Sequence, residues 1–275
     1  MATLSIRRPA LSRAHVVQLA AFAVAWGIAL LSVGVVWLRW APGGDAHAYW
    51  DAWHAGMYVH RMALDGVDAY LYSPAFAAAI WPLAQLPWSA FYVLWELLAF
   101  ATWVWLLRPL GVAIALPLVI ACQSLTIVGN IEWLLALAAA ISLRWPSAWA
   151  VALLTKASTG VGVIWYAVRG EWRRFGIALA TVGAAVVLTA WLPWGEWLSF
   201  LLSQHGSGMV WDWSVPIWPR LALAAAMTAW GARGGRTWVI PTSMILASPV
   251  ISLQTCAILA AVPRLRQRPA EPADR

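Results

Sequence analysis

Charge is what this sequence has least of. Only 11% of its 275 residues are Asp, Glu, Lys or Arg, and 63% are hydrophobic. A soluble globular domain carries roughly 25% charged residues, so a water-soluble globule is excluded. Lysine is nearly missing: among 18 basic residues, Lys156 is the single lysine. Cysteine is limited to Cys122 and Cys256, both inside apolar runs, which suits packing side chains better than a disulfide and leaves the compartment open. There is no internal repeat, no nucleotide-phosphate loop and no Asp-x-Asp sequence. The net charge of +7 does not point to nucleic acid. The arginines fall in short clusters between apolar runs, whereas a nucleic-acid binder presents a solvated basic face with stacking aromatics.

What is present is a series of apolar segments, at about 15–38, 74–86, 88–107, 109–128, 131–143, 146–168, 175–193, 215–230 and 237–262. At about 20 residues per bilayer crossing, they predict an all-α, polytopic membrane bundle of about 8–10 helices. The first run, Val16 to Leu38, is too long for a signal-peptide core and lacks a small-residue cleavage site, so it predicts an uncleaved spanning helix. Residues 1–14 are then a cytoplasmic terminus, 15–262 one transmembrane domain with an outward loop at 39–72, and 263–275 a disordered basic tail. The 23 tryptophans exceed what an interfacial belt needs, and composition does not separate anchors from groove-lining residues.

Several segments are too short or too broken to cross as straight helices. Pro74–Leu86 and Ile131–Leu143 fall well below crossing length, 146–168 carries Lys156 at its middle, and 237–262 is split by Ser248-Pro249. The clusters Arg7/Arg8/Arg13, Arg169/Arg173/Arg174 and Arg264/Arg266/Arg268 mark a cytoplasmic side. If Arg108 and Arg144 lie there too, one crossing per segment fails between Arg108 and Arg174. Helices that turn back inside the bilayer restore the parity; the alternative leaves one or two arginines outside. Such breaks are tolerated only where they line a buried or watery cavity.

The scarce polar residues gather. Four of the six aspartates (Asp45, Asp51, Asp65, Asp68) and three of the five histidines (His47, His54, His60) stand between the first two apolar segments. The stretch from Asp45 to Gly66 predicts an interfacial amphipathic helix with Asp45 as N-cap. On it Asp45, Tyr49 and Ala52 share one face, His47, Asp51, His54 and Tyr58 another, and Trp50, Trp53, Met57 and Leu64 an apolar side. The spacing of His47, Asp51 and His54 is compatible with a metal, but a solvated polar face suits it better, and no metal or cofactor is expected. Lys156 costs about 3 kcal/mol inside an apolar run. It either snorkels to an interface or is held as a point charge for an anion, a phosphate above all. Gly129-Asn130 with Glu132 is a second polar notch, readable as a plain turn or as part of a site. Glu96, in mid-segment, predicts a hydrogen bond to a neighbouring helix.

An Asp just after the first transmembrane helix, in an outward loop with an interfacial helix, resembles the GT-C membrane glycosyltransferases. The ordered motifs resemble glycosyltransferase family 87, the polyprenol-phosphate-mannose-dependent mannosyltransferases. The residues that carry the likeness are Gly43-Gly44-Asp45, Tyr49 and Tyr70-Leu71-Tyr72-Ser73-Pro74, then Gly129-Asn130-Ile131-Glu132, Thr155-Lys156-Ala157 with the basic turn Arg169–Arg174, and Ser248-Pro249 through Ser252 and Gln254. Ser73, Asn130, Glu132, Ala157 and Gln254 stand where the family has other residues.

The resemblance implies a multi-pass cell-membrane enzyme whose site faces the extracytoplasmic side. It implies a polyprenyl-phosphate-linked sugar, mannose, as donor and a glycan or glycolipid hydroxyl as acceptor, among membrane lipids and with no nucleic acid. Asp45 would be the general base of an inverting transfer, and Lys156 would offset charge on the leaving phosphate. Tyr49, Tyr70 and Tyr72 would stack on or hydrogen-bond sugar, and His47, Asn130, Glu132 and Gln254 are the further candidate substrate contacts. Two other classes stay open: a small transporter or lipid flippase, which also uses broken helices and an intramembrane lysine, and a non-catalytic relative, which a short chain with altered motifs would suit.

Overall fold

The computed structural model describes residues 13–39, 41–59, 69–203, 208–210 and 213–267. The chain opens with α1 (Arg13–Arg39), 27 residues of almost uniformly apolar sequence and hence about 40 Å long. Its buried stripe is narrow and mostly small: Ala25, Ala29, Ser32 and Val36, spaced to lie on one face and packed along α5 (Val112–Thr126). Everything larger points away, up to Trp37 at 87% exposure. An apolar surface of that extent belongs against lipid or a partner, not water.

After α1 come α2 (Gly44–Asp51), α3 (Pro74–Ala84) and α4 (Trp88–Leu107), then α5. They are followed by α6 (Glu132–Ser142), α7 (Trp149–Thr155), α8 (Ile164–Val168), α9 (Trp172–Leu188) and α10 (Trp194–Ser203). The chain ends in α11 (Ile217–Arg233), α12 (Val239–Ala247) and α13 (Val262–Arg266). Stretches of 3-10 helix at Arg108–Leu110, Pro146–Ala148, Ala157–Val163 and Thr255–Ala261 join or extend them. Three two-residue strands, β1 (Met209–Val210), β2 (Trp213–Ser214) and β3 (Val250–Ile251), pair in the order β2-β1-β3. The expected all-α class stands. Among the described residues the helices are more numerous and shorter than the 8–10 anticipated, because the breaks divide them. Two stretches, Arg13–Leu38 and Trp88–Leu110, are long and apolar enough to cross a membrane.

Three polar notches in the sequence are chain reversals at one end of the molecule. From the Arg108–Leu110 turn, α5 runs to Gly129-Asn130, whose Gly129 takes φ +86°, and α6 runs back. Residues 146–155 advance to Lys156, where φ −104° and ψ 78° end the helix, and the Ala157–Val163 turns return against α7. α12 advances to Ser248-Pro249, and Thr255–Ala261 returns alongside α6. Arg220, on the first turn of α11, holds the last of these by donating from Nη1 to the carbonyls of Leu246 (3.3 Å) and Ser248 (2.7 Å) and from Nη2 to that of Pro249 (3.2 Å). These are the free carbonyls of a helix C-terminus, which a guanidinium suits.

The returning segments end together at the opposite pole. There Tyr166 donates to the Ser142 carbonyl, Arg169 to that of Ala232, Thr237 to that of Leu265, and Arg264 to that of Trp105. Arg108, Arg144, Arg169, Arg174 and Arg264 therefore share a pole, as the turning-back helices require. The expected tail begins as helix: Val262–Arg266 is α13 and Leu265 is fully buried, so disorder from residue 263 is corrected. Residues 268–275 lie outside the described residues.

Candidate active site

The expected long helix from Asp45 to Gly66 is corrected. α2 ends at Asp51 and gives way to turns through Val59; Asp65 and Gly66 lie outside the described residues. Nor does Asp45 cap it. The N-cap is Gly43, left-handed at φ 80°, and Asp45 sits in the first turn. The orphan N–H groups of this terminus are met by another part of the chain: Gly43 N donates to the Ile127 carbonyl (2.8 Å), and Asp45 N (2.7 Å) and Ala46 N (3.3 Å) to that of Val128. Two glycine-and-alanine choices permit this docking. Ala46 is fully buried, and a Cβ on Gly129 would lie 2.2 Å from the Ala46 Cβ.

α2 is consequently embedded rather than laid flat on a surface. Trp50 Nε1 donates to the Leu86 carbonyl and Trp53 Nε1 to that of Ala77, both at 2.9 Å, while Ala48, Tyr49 and Ala52 are buried. An aromatic face on α4 closes the other side. Phe91 stacks on Trp95, and Trp95 meets Tyr49 at 5.4 Å and Trp133 at 5.2 Å between ring centroids. Trp95 Nε1 donates 2.9 Å to the Gly129 carbonyl, pinning the turn that receives α2. The expected site residues do not include Trp95, although the i, i+3, i+4, i+7 spacing of Trp88, Phe91, Tyr92 and Trp95 was there to find it.

On this scaffold the ionisable residues converge. Glu132 begins α6 and Lys156 ends α7; their carboxylate and ammonium form an ion pair, Glu132 with 3% and Lys156 with 18% of its side chain exposed. Asp45 faces the same place. It is open to solvent, yet protein surrounds it closely enough that burial pushes its carboxyl up to about 6; the Glu132 charge adds to the rise and the Lys156 charge opposes it. An accessible carboxyl with that desolvation lies in the wall of a recess. Tyr72 feels the same three charges. Burial pushes its hydroxyl up to about 12, with Lys156 opposing, and it lies 3.5 Å from the Tyr49 hydroxyl.

The expected site residues thus divide. Asp45, Tyr49, Tyr72, Glu132 and Lys156 come together. Tyr70 adjoins them edge-on to Tyr49 and Tyr72, but its hydroxyl donates to the Ser73 carbonyl at 2.8 Å and is fully buried. Asn130 is a fastener: its Nδ2 donates to the Leu125 carbonyl (2.9 Å) and its Oδ1 accepts from Glu132 N (3.3 Å). His47 points elsewhere, packing between Trp50 and Trp88, since two residues on from Asp45 is the far side of a helix. Gln254 is half-buried at the start of the Thr255–Ala261 turns and is hydrogen-bonded to none of the three ionisable groups. The assignment of His47 and Gln254 as substrate contacts is therefore not supported by this geometry.

Beside the recess, a groove of about 670 Å³ runs between α4 and α5, from Tyr92 and Ile127 to Arg108 and Val112. Its lining is mostly apolar, with Tyr92, Arg108 and Ser124 on it and the expected helix-to-helix bond of Glu96, whose Oε2 accepts from Gln123 Nε2 at 2.6 Å. Ile127 lies at the groove end nearest α2. Its carbonyl accepts from both Gly43 N and the Tyr92 hydroxyl.

A helical protein with two stretches long and apolar enough to cross a membrane and ionisable residues gathered where short helices meet fits the class of integral-membrane proteins. The model of glycosyltransferase family 87 matches residues 70–275, about three-quarters of the chain, and the chain belongs to that family. It is a membrane glycosyltransferase by that membership. The match takes in Glu132 and Lys156 and begins after Asp45, His47 and Tyr49. No curated protein and no solved structure gives a match.

Proposed function

We propose that this glycosyltransferase moves a sugar, mannose, from a polyprenyl-phosphate donor to a hydroxyl of a glycan or glycolipid acceptor, inverting the anomeric carbon. The acceptor oxygen attacks that carbon and gives its proton to the Asp45 carboxylate; the bond from the carbon to the phosphate oxygen breaks, and polyprenyl phosphate leaves. Lys156 faces the departing phosphate and offsets its charge. Tyr72 lines the sugar position, with the buried Tyr49 behind it, hydrogen-bonded to its hydroxyl. The arginine pole lies on the cytoplasmic side, which puts the recess on the extracytoplasmic side of a multi-pass bundle. The apolar groove between α4 and α5 accommodates prenyl chain.

The observation that carries this reading is that Asp45, from the loop after α1, and Lys156, from the break after α7, share one recess and feel each other's charge. A base and a phosphate partner drawn from distant segments are what a lipid-phosphate sugar transfer needs. A carboxyl raised to about 6 is ionised at neutral pH and still a better proton acceptor than an ordinary aspartate. A transporter could also use a raised carboxyl, as a proton relay, but the family match is to glycosyltransferases.

The test is transfer from radiolabelled polyprenyl-phosphate mannose in membranes containing the intact chain, Asp45→Asn or Lys156→Met. Loss of general-base catalysis is worth about 10²–10⁴-fold, so Asp45→Asn is expected to fall by that much while the protein still inserts and folds. Lys156→Met is expected to lose donor binding as well as turnover. Undiminished transfer by Asp45→Asn overturns the assignment of the base.

A further inference from the structure

Lys156 does not wait unpaired. Its ammonium has three protons to give, and one goes to Glu132 Oε1. Glu132 is held in place from behind, its own N–H bound by Asn130 Oδ1 and Asn130 in turn tied to the Leu125 carbonyl. The pair is not built like a ledger-neutral structural bridge. An ion pair this deep is favourable only when its remaining lone pairs are also satisfied, yet Glu132 Oε2 is buried with no hydrogen-bond partner. The charges do not cancel either. With Asp45 ionised, the recess holds two carboxylates and one ammonium, a net negative site for a ligand whose phosphate is itself negative.

We propose that Glu132 competes with the substrate phosphate for Lys156, and so weakens the site's hold on polyprenyl phosphate. This rests on the reading that Lys156 takes the phosphate. Glu132 is a positioning residue in this scheme: it acts through Lys156 and touches no reacting atom. While the site is empty, its carboxylate keeps the ammonium in the recess. When donor binds, the phosphate shares or takes the ammonium, leaving Glu132 beside an added negative charge. After transfer, the same carboxylate reclaims Lys156 and helps the product leave. A lipid phosphate that remained bound would block the next donor, so a built-in competitor favours turnover.

The experiment measures retention of radiolabelled polyprenyl phosphate on the purified full-length chain, for the unaltered protein, Glu132→Gln and Lys156→Met, with steady-state transfer alongside. Like-charge juxtaposition weakens binding, so the isosteric Glu132→Gln is expected to bind polyprenyl phosphate about tenfold tighter and to lower the donor KM. kcat is expected to stay level or fall as release slows. A merely structural ion pair predicts the reverse, weaker binding and a higher KM. Binding by Glu132→Gln that is unchanged or weaker, with binding lost in Lys156→Met, overturns the proposal for Glu132 and leaves Lys156 as the phosphate partner. Undiminished binding by Lys156→Met overturns the phosphate reading itself. If Glu132→Gln fails to fold, Glu132→Asn, a shorter neutral side chain, takes its place with the same expected signs.

Discussion

The two poles of this protein use charge in opposite ways. At the arginine pole, cations meet backbone carbonyls, aromatic faces and one carboxylate: Arg264 donates to the Trp105 carbonyl at 2.7 Å and sits 4.5 Å over its ring, and Glu171 binds both Arg169 (2.6 Å) and Arg174 (3.1 Å). At the other pole, Glu132, Lys156 and Asp45 meet at the breaks of short helices, with a buried oxygen left unsatisfied. The first arrangement fastens helix ends. The second sets ionisable groups against one another inside the fold, with one oxygen of Glu132 unpaired.

Glycines test that contrast most severely. Gly129 and Gly111 both hold positive φ, +86° and +76°; alanine at Gly129 costs about 1–2 kcal/mol of backbone strain, and at Gly111, where ψ is 154°, about 1–3 kcal/mol, since that region is essentially closed to residues with a Cβ. Their surroundings differ. A Cβ at Gly111 meets nothing within 4 Å, whereas at Gly129 it lands 2.2 Å from the Ala46 Cβ and 2.5 Å from the Ala46 N. Gly129→Ala is therefore expected to push α2 from its seat and displace Asp45. Misplacement of about 1 Å at a reacting group costs on the order of a hundredfold in rate. Gly111→Ala, at the arginine pole, is expected to lower thermal stability through backbone strain alone and to leave transfer intact. Equal activity losses in the two variants break the distinction between the poles.

Much of the site-bearing pole was legible in the sequence, because its breaks are chemically conspicuous. Gly129-Asn130, the single lysine and Ser248-Pro249 interrupt apolar runs, and all three turn out to be reversals. The parity argument left open whether Arg108 and Arg144 join Arg169 on one side, and the structure gathers them at one pole. What escaped was non-local. Asp45 looks like an N-cap because Asp is a good one, but the acceptors that cap α2 are carbonyls of residues 127 and 128, far along the chain. The end of α2 at Asp51 is set by its burial under α3 and α4, not by the Gly at position 66. Glu132 reads as a polar turn residue until Lys156, 24 positions on, is seen against it. Periodicity describes one helix at a time and does not report which helix ends meet.

The poles should also differ in how they titrate. General-base catalysis needs Asp45 ionised, and its carboxyl is raised to about 6 from 3.8 by burial and by Glu132. Transfer is then expected to rise with pH and level off above about 7. It should fall about tenfold from that plateau by pH 5, since each unit below the pKa protonates nearly ten times more of the base. The measurement is kcat/KM for transfer between pH 4.5 and 8. An acidic limb near 4 means that Asp45 is as solvated as an ordinary carboxylate, and the recess loses its electrostatic distinction. Guanidinium groups carry no titration into this range, so the arginine pole contributes no limb.

The smallest effect is expected where the pairing is most complete. Glu171 precedes α9 and bridges Arg169 and Arg174 with its two oxygens, while Arg169 also donates to the Ala232 carbonyl and lies over the Trp165 ring. Removing the carboxylate leaves Arg169 with those two partners and Arg174 with access to water, since Arg174 is 35% exposed. Glu171→Gln can keep one hydrogen bond to each arginine in weaker form. Arg169 and Glu171 keep only 17% and 11% of their side chains exposed, so removing the charge of this largely buried pair is expected to lower the thermal unfolding temperature by several degrees and to leave transfer unchanged. A large loss of activity in Glu171→Gln with the fold intact, measured beside Glu132→Gln, makes the arginine pole part of the catalytic machinery rather than its fastening.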